Sequence, residues 1–180
     1  ENGGIIFPNP NAPTGALLPL SAIEDVVKHN PDSVVIVDEA YIDFGGESAL
    51  PLIDRYDNLL VVQTFSKSRS MAGMRIGYAM GNEQLIKYLS DVKYSFNSYT
   101  MNATAIALGT AAMRDRAYFE ETKAKIIATR ERAKERLAAL GFSFVDSRAN
   151  FIFAAHKSVL AEELFLALKQ AGIYVRYFKK

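Results

Sequence analysis

Apolar residues occur in this chain as short runs, separated by stretches in which apolar positions recur at helical spacing. Runs of this length predict β-strands, and the amphipathic stretches between them predict helices. The strands predicted in the first part cover residues 5–7, 33–37, 58–62 and 76–80. A helix is predicted over 21–30, with Ser21 as its N-cap and Glu24 completing a capping box. Apolar strands that alternate with helices are typical of a mostly parallel sheet covered on both faces.

The residue pattern changes near residue 113. Residues 114–140 are heavily charged but keep an apolar stripe with Ile126, Ala133 and Leu137, which predicts one long helix ended by Gly141. Strands over 142–145, 151–154 and 173–176 and a helix over 158–170 are predicted beyond it. The predicted fold class is therefore α/β. Residues 1–113 form the C-terminal part of a large, mostly parallel α/β/α sheet domain, and residues 114–180 form a smaller, incomplete α+β domain.

Composition and charge exclude several classes of function. The 180 residues are 49% apolar and 23% charged, which is an ordinary mixture for a globular protein. A net charge of +1 gives no electrostatic reason to expect nucleic acid or an anionic membrane as a partner. Without cysteine and with two histidines, the chain offers no thiol chemistry and no common zinc site, so we predict no metal. Since it shows no signal peptide and no membrane-spanning run, we expect a cytoplasmic protein.

Three of the predicted strands end in loops that are rich in reactive side chains, at residues 9–15, 38–41 and 64–75. In open parallel sheets, ligands bind at the carboxyl ends of the strands, where such loops meet. We therefore expect the three loops to form one site. Its candidate residues are Asn11, Asp38, Tyr41, Thr64, Ser66, Lys67 and Arg75.

Lys67 is the most informative of these residues. It follows an apolar strand, stands among hydroxyl side chains and has Arg75 eight residues further on. This arrangement suits a nucleophilic amine beside an anion-binding pocket, in which Thr64, Ser66 and Arg75 would hold a phosphate group. Asp38 ends a buried strand and needs a cationic partner there. A Schiff-base lysine, a phosphate pocket and a carboxylate for a ring cation are together the requirements of pyridoxal 5'-phosphate.

Four short motifs carry a resemblance to a known family. They are Asn9-Pro10-Asn11-Ala12-Pro13-Thr14-Gly15, Val37-Asp38-Glu39-Ala40-Tyr41, Thr64-Phe65-Ser66-Lys67 and Gly73-Met74-Arg75-Ile76-Gly77-Tyr78. In this order they resemble the fold-type I, pyridoxal-phosphate-dependent aminotransferases of class I and II, and most closely the histidinol-phosphate aminotransferases. The rest of the chain resembles the family's small C-terminal domain through Ala149-Asn150-Phe151 and Ile173-Tyr174-Val175-Arg176.

The resemblance implies a role for each candidate residue. Lys67 would form the Schiff base with the cofactor and move a proton between substrate and cofactor. Asp38 would pair with the pyridinium nitrogen, and Tyr41 would bond to the ring oxygen. Ala12 stands where the family usually has an asparagine that touches this oxygen, so either Asn11 reaches in instead or Tyr41 acts alone. The phosphate would be held by Thr64, Ser66 and Arg75.

The implied reaction is amino-group transfer between an amino donor and a 2-oxo acid, most specifically from histidinol phosphate to 2-oxoglutarate in histidine biosynthesis. An aromatic-amino-acid aminotransferase and a threonine-phosphate decarboxylase on the same scaffold remain open. The resemblance also implies small-molecule substrates and a homodimer. The family's ring-stacking residues would precede residue 1, and its main substrate-carboxylate arginine would follow residue 180. We therefore expect a fragment of a longer protein, inactive by itself.

The pair Asp38-Glu39 also admits an interpretation from a different class. Four apolar residues followed by two acids are how a P-loop ATPase or helicase presents its magnesium-binding acid. That interpretation needs a G-x-x-x-x-G-K-[ST] loop, which the chain lacks, and it gives Lys67 and Arg75 no role. A non-catalytic interaction module on the same fold is a third alternative, which an unreactive Lys67 would favour.

Overall fold

A central sheet of four strands organises the first part of the chain. The computed structural model describes residues 3–179. The strands are β1 (Ile5–Pro8), β2 (Val35–Asp38), β3 (Leu59–Thr64) and β4 (Gly77–Gly81), and they lie side by side in this order. The first three are parallel and β4 runs antiparallel to β3. The predicted α/β class with a mostly parallel sheet is confirmed.

One face of this sheet carries the main hydrophobic core. Helix α1 (Leu20–Lys28) buries Ile23 and Val27 against it. The strand residues beneath the helix are Val35, Val37, Leu59 and Val61. On the opposite face Ile6 is 72% exposed. Within residues 3–179 the expected cover of both faces is therefore complete on one face only.

The start of α1 differs from the predicted capping box. The helix begins at Leu20 behind Pro19, without a side-chain cap, so the box of Ser21 and Glu24 is wrong. Glu24 instead accepts a hydrogen bond from the hydroxyl of Tyr56 at 2.8 Å and pairs with Arg55 at 2.5 Å. The bond from Tyr56, helped by the charge of Arg55, holds the pKa of Glu24 below its ordinary value.

Helices dominate the second part of the chain. They are α2 (Glu83–Phe96), α3 (Ala103–Arg114), α4 (Arg116–Ala139) and α5 (Ala161–Gln170). Asp115 separates α3 from α4 and caps α4 by accepting a bond from the N–H of Tyr118 at 3.1 Å. The long charged helix is thus confirmed. No helix in the described part of the chain is both long and apolar enough to cross a membrane.

A small antiparallel pair follows α4, formed by β5 (Phe142–Phe144) and β6 (Ala154–His156). The second of these strands lies later than the predicted 151–154. The strand predicted over 173–176 is wrong, because residues 173–179 have no regular structure. A strand needs a neighbour for its backbone groups, and β5 and β6 pair only with each other.

Candidate functional site

Three loops leave the sheet at one edge, as the sequence predicted. The strands β1, β2 and β3 are parallel, with Pro8 in register with Asp38 and Asp38 in register with Val62. Thr64 lies two residues beyond Val62, so β3 ends about 7 Å further along than β2. The N–H of Asn9 donates to the carbonyl oxygen of Asp38 at 2.8 Å, which holds the first two loops together.

Lys67 and Tyr41, from two different loops, are in contact. The ammonium nitrogen of Lys67 lies 5.2 Å from the centre of the Tyr41 ring, which is within the range of a cation–π interaction. The same ring meets the ring of Phe151 edge to face, with the two centroids 5.0 Å apart and the planes at 87°. Phe151 comes from the segment between β5 and β6, so the second part of the chain contributes a side chain to the site.

The residues that follow the lysine fix its loop from two sides. Ser68 is 3% exposed and donates to Oδ2 of Asp43 at 2.5 Å. Arg69 donates through Nη1 to the carbonyl oxygen of Ala112 at 2.9 Å, and its guanidinium lies 4.1 Å from the ring centre of Phe119. The loop is thus held both to the turn after β2 and to the junction of α3 with α4.

A second apolar cluster supports the same loop from below. Phe65 and Ile76, at its two ends, are buried against Ala105 of α3. A Cβ built on Gly109 would lie 2.9 Å from Cδ1 of Ile76, so α3 approaches the loop at a glycine. The loop from β3 to β4 is therefore a supported element of the fold.

Ser66 is better placed than Thr64 to donate to an anion. The hydroxyl of Thr64 donates towards the hydroxyl of Ser66 at 3.0 Å and the carbonyl oxygen of Ile76 at 3.1 Å, and it accepts from the N–H of Ser66. Its single proton is thus committed within the chain, whereas Ser66 keeps its own. Arg75 is exposed, has a left-handed backbone with φ 56°, and donates through Nη1 to the carbonyl oxygen of Ala72 at 2.8 Å.

Asp38 and Glu39 are adjacent in sequence but have different surroundings. Asp38 is half-buried, and its Oδ1 accepts the N–H of Ala40 at 3.0 Å. Glu39 is 1% exposed and accepts bonds from Ser48, Ala49 and Gln63. Both oxygens of Glu39 are therefore used inside the fold. Among residues 3–179 no group of three or more acidic, histidine or cysteine side chains is arranged to hold a metal ion.

Asn11 lies in the loop after β1, where it closes a turn. Its Oδ1 accepts the hydroxyl of Thr14 at 2.7 Å, its N–H donates to Ala16 and its carbonyl oxygen accepts from Gly15. The side-chain oxygen is thus engaged locally, so its amide nitrogen is the group that would have to reach a cofactor. The predicted contact of Asn11 with a ring oxygen stays a prediction.

The donor set at this edge fits pyridoxal phosphate. The Lys67 amine is held beside an aromatic ring, and Ser66 and Arg75 offer a hydroxyl proton and a fixed cation to a phosphate. The bonding of the Asp38 carboxylate is the most informative feature for this fit. Its Oδ1 bonds to Ala40, while Oδ2 has no bonding partner among the described residues. A half-buried carboxylate with a spare oxygen suits a protonated ring nitrogen.

The sequence from end to end matches one protein family. Residues 1–180 match the family model described as aminotransferase class I and II. The chain therefore belongs to the aminotransferase class I and II family. This membership confirms the resemblance carried by the four motifs, and it replaces the alternative interpretation of Asp38-Glu39 as the metal-binding acid of a P-loop ATPase.

Within this family, the chain is similar to proteins that are named histidinol-phosphate aminotransferase. Histidinol-phosphate aminotransferase 2 of Dechloromonas aromatica is 59% identical over 178 residues, which are 99% of this chain and 50% of the relative. The solved histidinol-phosphate aminotransferase of Clostridium acetobutylicum has a TM-score of 0.88 at 28% identity, over 96% of this chain and 53% of that one. The enzyme of that name from Sinorhizobium meliloti, solved in complex with pyridoxal-5'-phosphate, has a TM-score of 0.85 at 26% identity, over 95% and 48%. The chain thus spans about half the length of the relatives it matches.

Two side chains at the site were not among the candidates from sequence, Phe151 and Arg130. Arg130 lies in α4 and donates to two backbone carbonyl oxygens beside the site. A signal for it did exist. Arg130 falls four residues after Ile126 and three before Ala133, so it stands in the predicted apolar stripe. A charge within an apolar stripe indicates either a specific buried partner or a break in the stripe.

Proposed function

We propose that the intact protein is a pyridoxal-phosphate-dependent aminotransferase that moves an amino group from histidinol phosphate to 2-oxoglutarate, as a step of histidine biosynthesis. The observation that carries the chemistry is the Lys67 amine, held 5.2 Å from the Tyr41 ring at the sheet edge where Asp38 ends the neighbouring strand. The choice of substrate rests on the name of relatives such as the one at 59% identity.

When bound, pyridoxal phosphate supplies an electron sink for the substrate carbon that loses its proton. The Nζ of Lys67 would serve as the general base that holds and moves that proton. Oδ2 of Asp38 would pair with a protonated ring nitrogen, and the hydroxyl of Tyr41 would donate to the ring oxygen. Ser66 and Arg75 would hold the phosphate and so orient the cofactor, with Thr64 ordering the Ser66 hydroxyl.

The proposal includes a homodimer acting on small molecules. The homodimer rests on the resemblance to the family. Phe96 is 78% and Tyr99 is 95% exposed in this chain, and exposed apolar side chains grouped on and after α2 suit a contact surface, either with the rest of the intact protein or with a second copy. Light scattering of the intact protein should give twice the monomer mass, whereas a monomeric mass at working concentration would contradict this part of the proposal.

The cofactor assignment is tested by reduction and mapping. The intact protein is incubated with pyridoxal phosphate, reduced with borohydride and digested, and the pyridoxyl mass is located by peptide mass spectrometry. We expect it on Lys67 and no other lysine. A Lys67→Ala variant is the control and should take no label while retaining affinity for the phosphate. Label on no lysine, or weak label on many, would refute the assignment.

The substrate is tested by comparing amino donors. With 2-oxoglutarate as acceptor, histidinol phosphate should exceed phenylalanine and tyrosine in kcat/KM, and O-phosphothreonine should release no carbon dioxide. A preference for the aromatic donors would indicate an aromatic-amino-acid aminotransferase, and carbon dioxide release would indicate the decarboxylase.

Asp38→Asn should keep the cofactor bound but lower kcat, because the ring nitrogen loses its ionic partner.

A further inference from the structure

Arg130 is a buried arginine of α4 that the proposed chemistry does not use. Its side chain is 4% exposed. An unpaired cation buried to this extent would strongly destabilise the fold. Nε and Nη2 donate to Oε1 of Glu131 at 2.8 and 2.7 Å. Nη1 donates to the carbonyl oxygens of Phe44 at 2.7 Å and Ala149 at 2.9 Å. One nitrogen therefore ties two separate backbone segments to α4.

Each of the two carbonyl groups stands beside an aromatic residue of the site. Phe44 ends the turn that begins after Tyr41, and its N–H donates to the carbonyl oxygen of Tyr41 at 3.1 Å. Ala149 lies two residues before Phe151. The rings of Tyr41 and Phe151 meet edge to face at 5.0 Å, and the Lys67 amine lies 5.2 Å from the centre of the Tyr41 ring.

We propose that Arg130 is a positioning residue. By holding the carbonyl groups of Phe44 and Ala149 at a fixed separation, it fixes the Tyr41 ring between Phe151 and Lys67. We call this arrangement the Arg130 clamp. The inference rests on the proposed function in so far as Tyr41 binds the cofactor ring. The planar guanidinium is essential to the clamp, because a lysine ammonium at this position keeps the charge but lacks the fork that reaches both carbonyls and Glu131 together.

The first test needs no cofactor. The intact, cofactor-free protein is labelled with limiting acetic anhydride, and acetylation at Lys67 is measured by peptide mass spectrometry relative to the other lysines. Arg130→Lys should raise the labelling of Lys67 about threefold, because the Tyr41 ring no longer covers the amine. Equal labelling in the wild type and Arg130→Lys would overturn the clamp.

A matched control separates the clamp from general loosening of α4. Lys125→Met removes another ion pair of the same helix, to Glu121, without touching either carbonyl group or Glu131, and should leave the labelling of Lys67 unchanged. An equal rise in Arg130→Lys and Lys125→Met would overturn the proposal. Should Arg130→Lys fail to fold, Phe151→Leu is used instead, because it removes the aromatic ring on which Tyr41 packs. It should then give the same rise, and no rise would again overturn the proposal.

The second test is a double-mutant cycle on cofactor affinity. Tyr41→Phe removes the hydroxyl proposed to bond the cofactor, so the position of this ring should then matter less. Arg130→Lys should weaken pyridoxal phosphate binding about tenfold in the wild-type background but less than about twofold in the Tyr41→Phe protein. Fully multiplicative losses would overturn the clamp. If the wild type binds no pyridoxal phosphate, the proposed function fails, while the acetylation result still decides the clamp.

Discussion

Glu39 should be a residue of stability and not of chemistry, and its replacement tests the framework that carries Asp38. The side chain accepts three hydrogen bonds, from the hydroxyl of Ser48 at 2.6 Å, the N–H of Ala49 at 2.6 Å and Nε2 of Gln63 at 2.8 Å. These bonds join the end of β2 to the following loop and to β3. Glu39→Met keeps the length of the side chain but removes every acceptor.

The expected loss of stability depends on whether each partner of Glu39 can bond to water instead. Ala49 is 0% exposed, so its N–H has no substitute acceptor, and a buried donor without a partner costs about 1–3 kcal/mol. Ser48 and Gln63 are only half-buried and can turn towards solvent. We therefore expect Glu39→Met to lower the free energy of unfolding by about 2–4 kcal/mol. Glu39→Gln should lose less, because the amide oxygen still accepts from Ala49.

The assay is denaturant unfolding of the intact protein without cofactor, since a bound ligand would add its own stabilisation. Glu47→Met is the matched control, because Glu47 is exposed in the same loop and should change stability by less than about 0.5 kcal/mol. If Glu39→Met and Glu47→Met had the same unfolding midpoint, the buried network would not have the role given to it here.

Two further predictions concern stability. Gly15 and Gly172 have nearly the same φ, +77° and +78°, but a Cβ on Gly15 would lie 2.2 Å from Oγ of Ser147 while one on Gly172 meets nothing within 4 Å. Gly172→Ala should therefore cost about 1 kcal/mol of unfolding free energy from backbone strain, and Gly15→Ala at least about 1 kcal/mol more; equal losses in denaturant titration would contradict the close contact. The hydrogen bond from Lys134 outweighs partial burial and lowers the pKa of Asp146, so this bond stabilises the fold above the unfolded pKa of about 3.9 and is lost as the pH falls below it. Lys134→Met should flatten the fall of the thermal midpoint in that acid range, because it also removes the bond that lowers the pKa of Glu131. The contribution of Asp146, whose side chain is 59% exposed, is worth less than about 1 kcal/mol, and an unchanged acid slope would count against the prediction.

Local pattern and strand direction were sufficient to predict the sheet edge. The apolar runs before Asp38 and Thr64 predict strands, and a parallel arrangement then brings their loops together without knowledge of any side-chain contact. Local pattern was also sufficient to predict α4, because the apolar stripe indicates a helix and Gly141 indicates its end. The candidate residues of the site were found in this way because each lies within a few residues of a strand end.

Contacts between residues far apart in sequence account for what could not be predicted. Glu24 does not cap α1 but bonds to Tyr56, 32 residues away. Arg130 bonds to a carbonyl oxygen 86 residues away, so its place in the apolar stripe indicates an unusual charge but does not show which groups it bonds. The strand expected over 173–176 failed for the same reason, since backbone pairing depends on a partner that sequence periodicity does not show.

The predicted boundary near residue 113 separates two patterns of sequence, but the site extends across it. Phe151 packs on Tyr41, and the N–H of Arg148 donates to the carbonyl oxygen of Gly15 at 2.9 Å. The loops after β1 and β2 are thus both in contact with the segment between β5 and β6. Any shift of that segment would displace the Tyr41 ring beside Lys67, because close-packed side chains transmit displacement with little compression. The geometry around the lysine is therefore a property of both parts of the chain together.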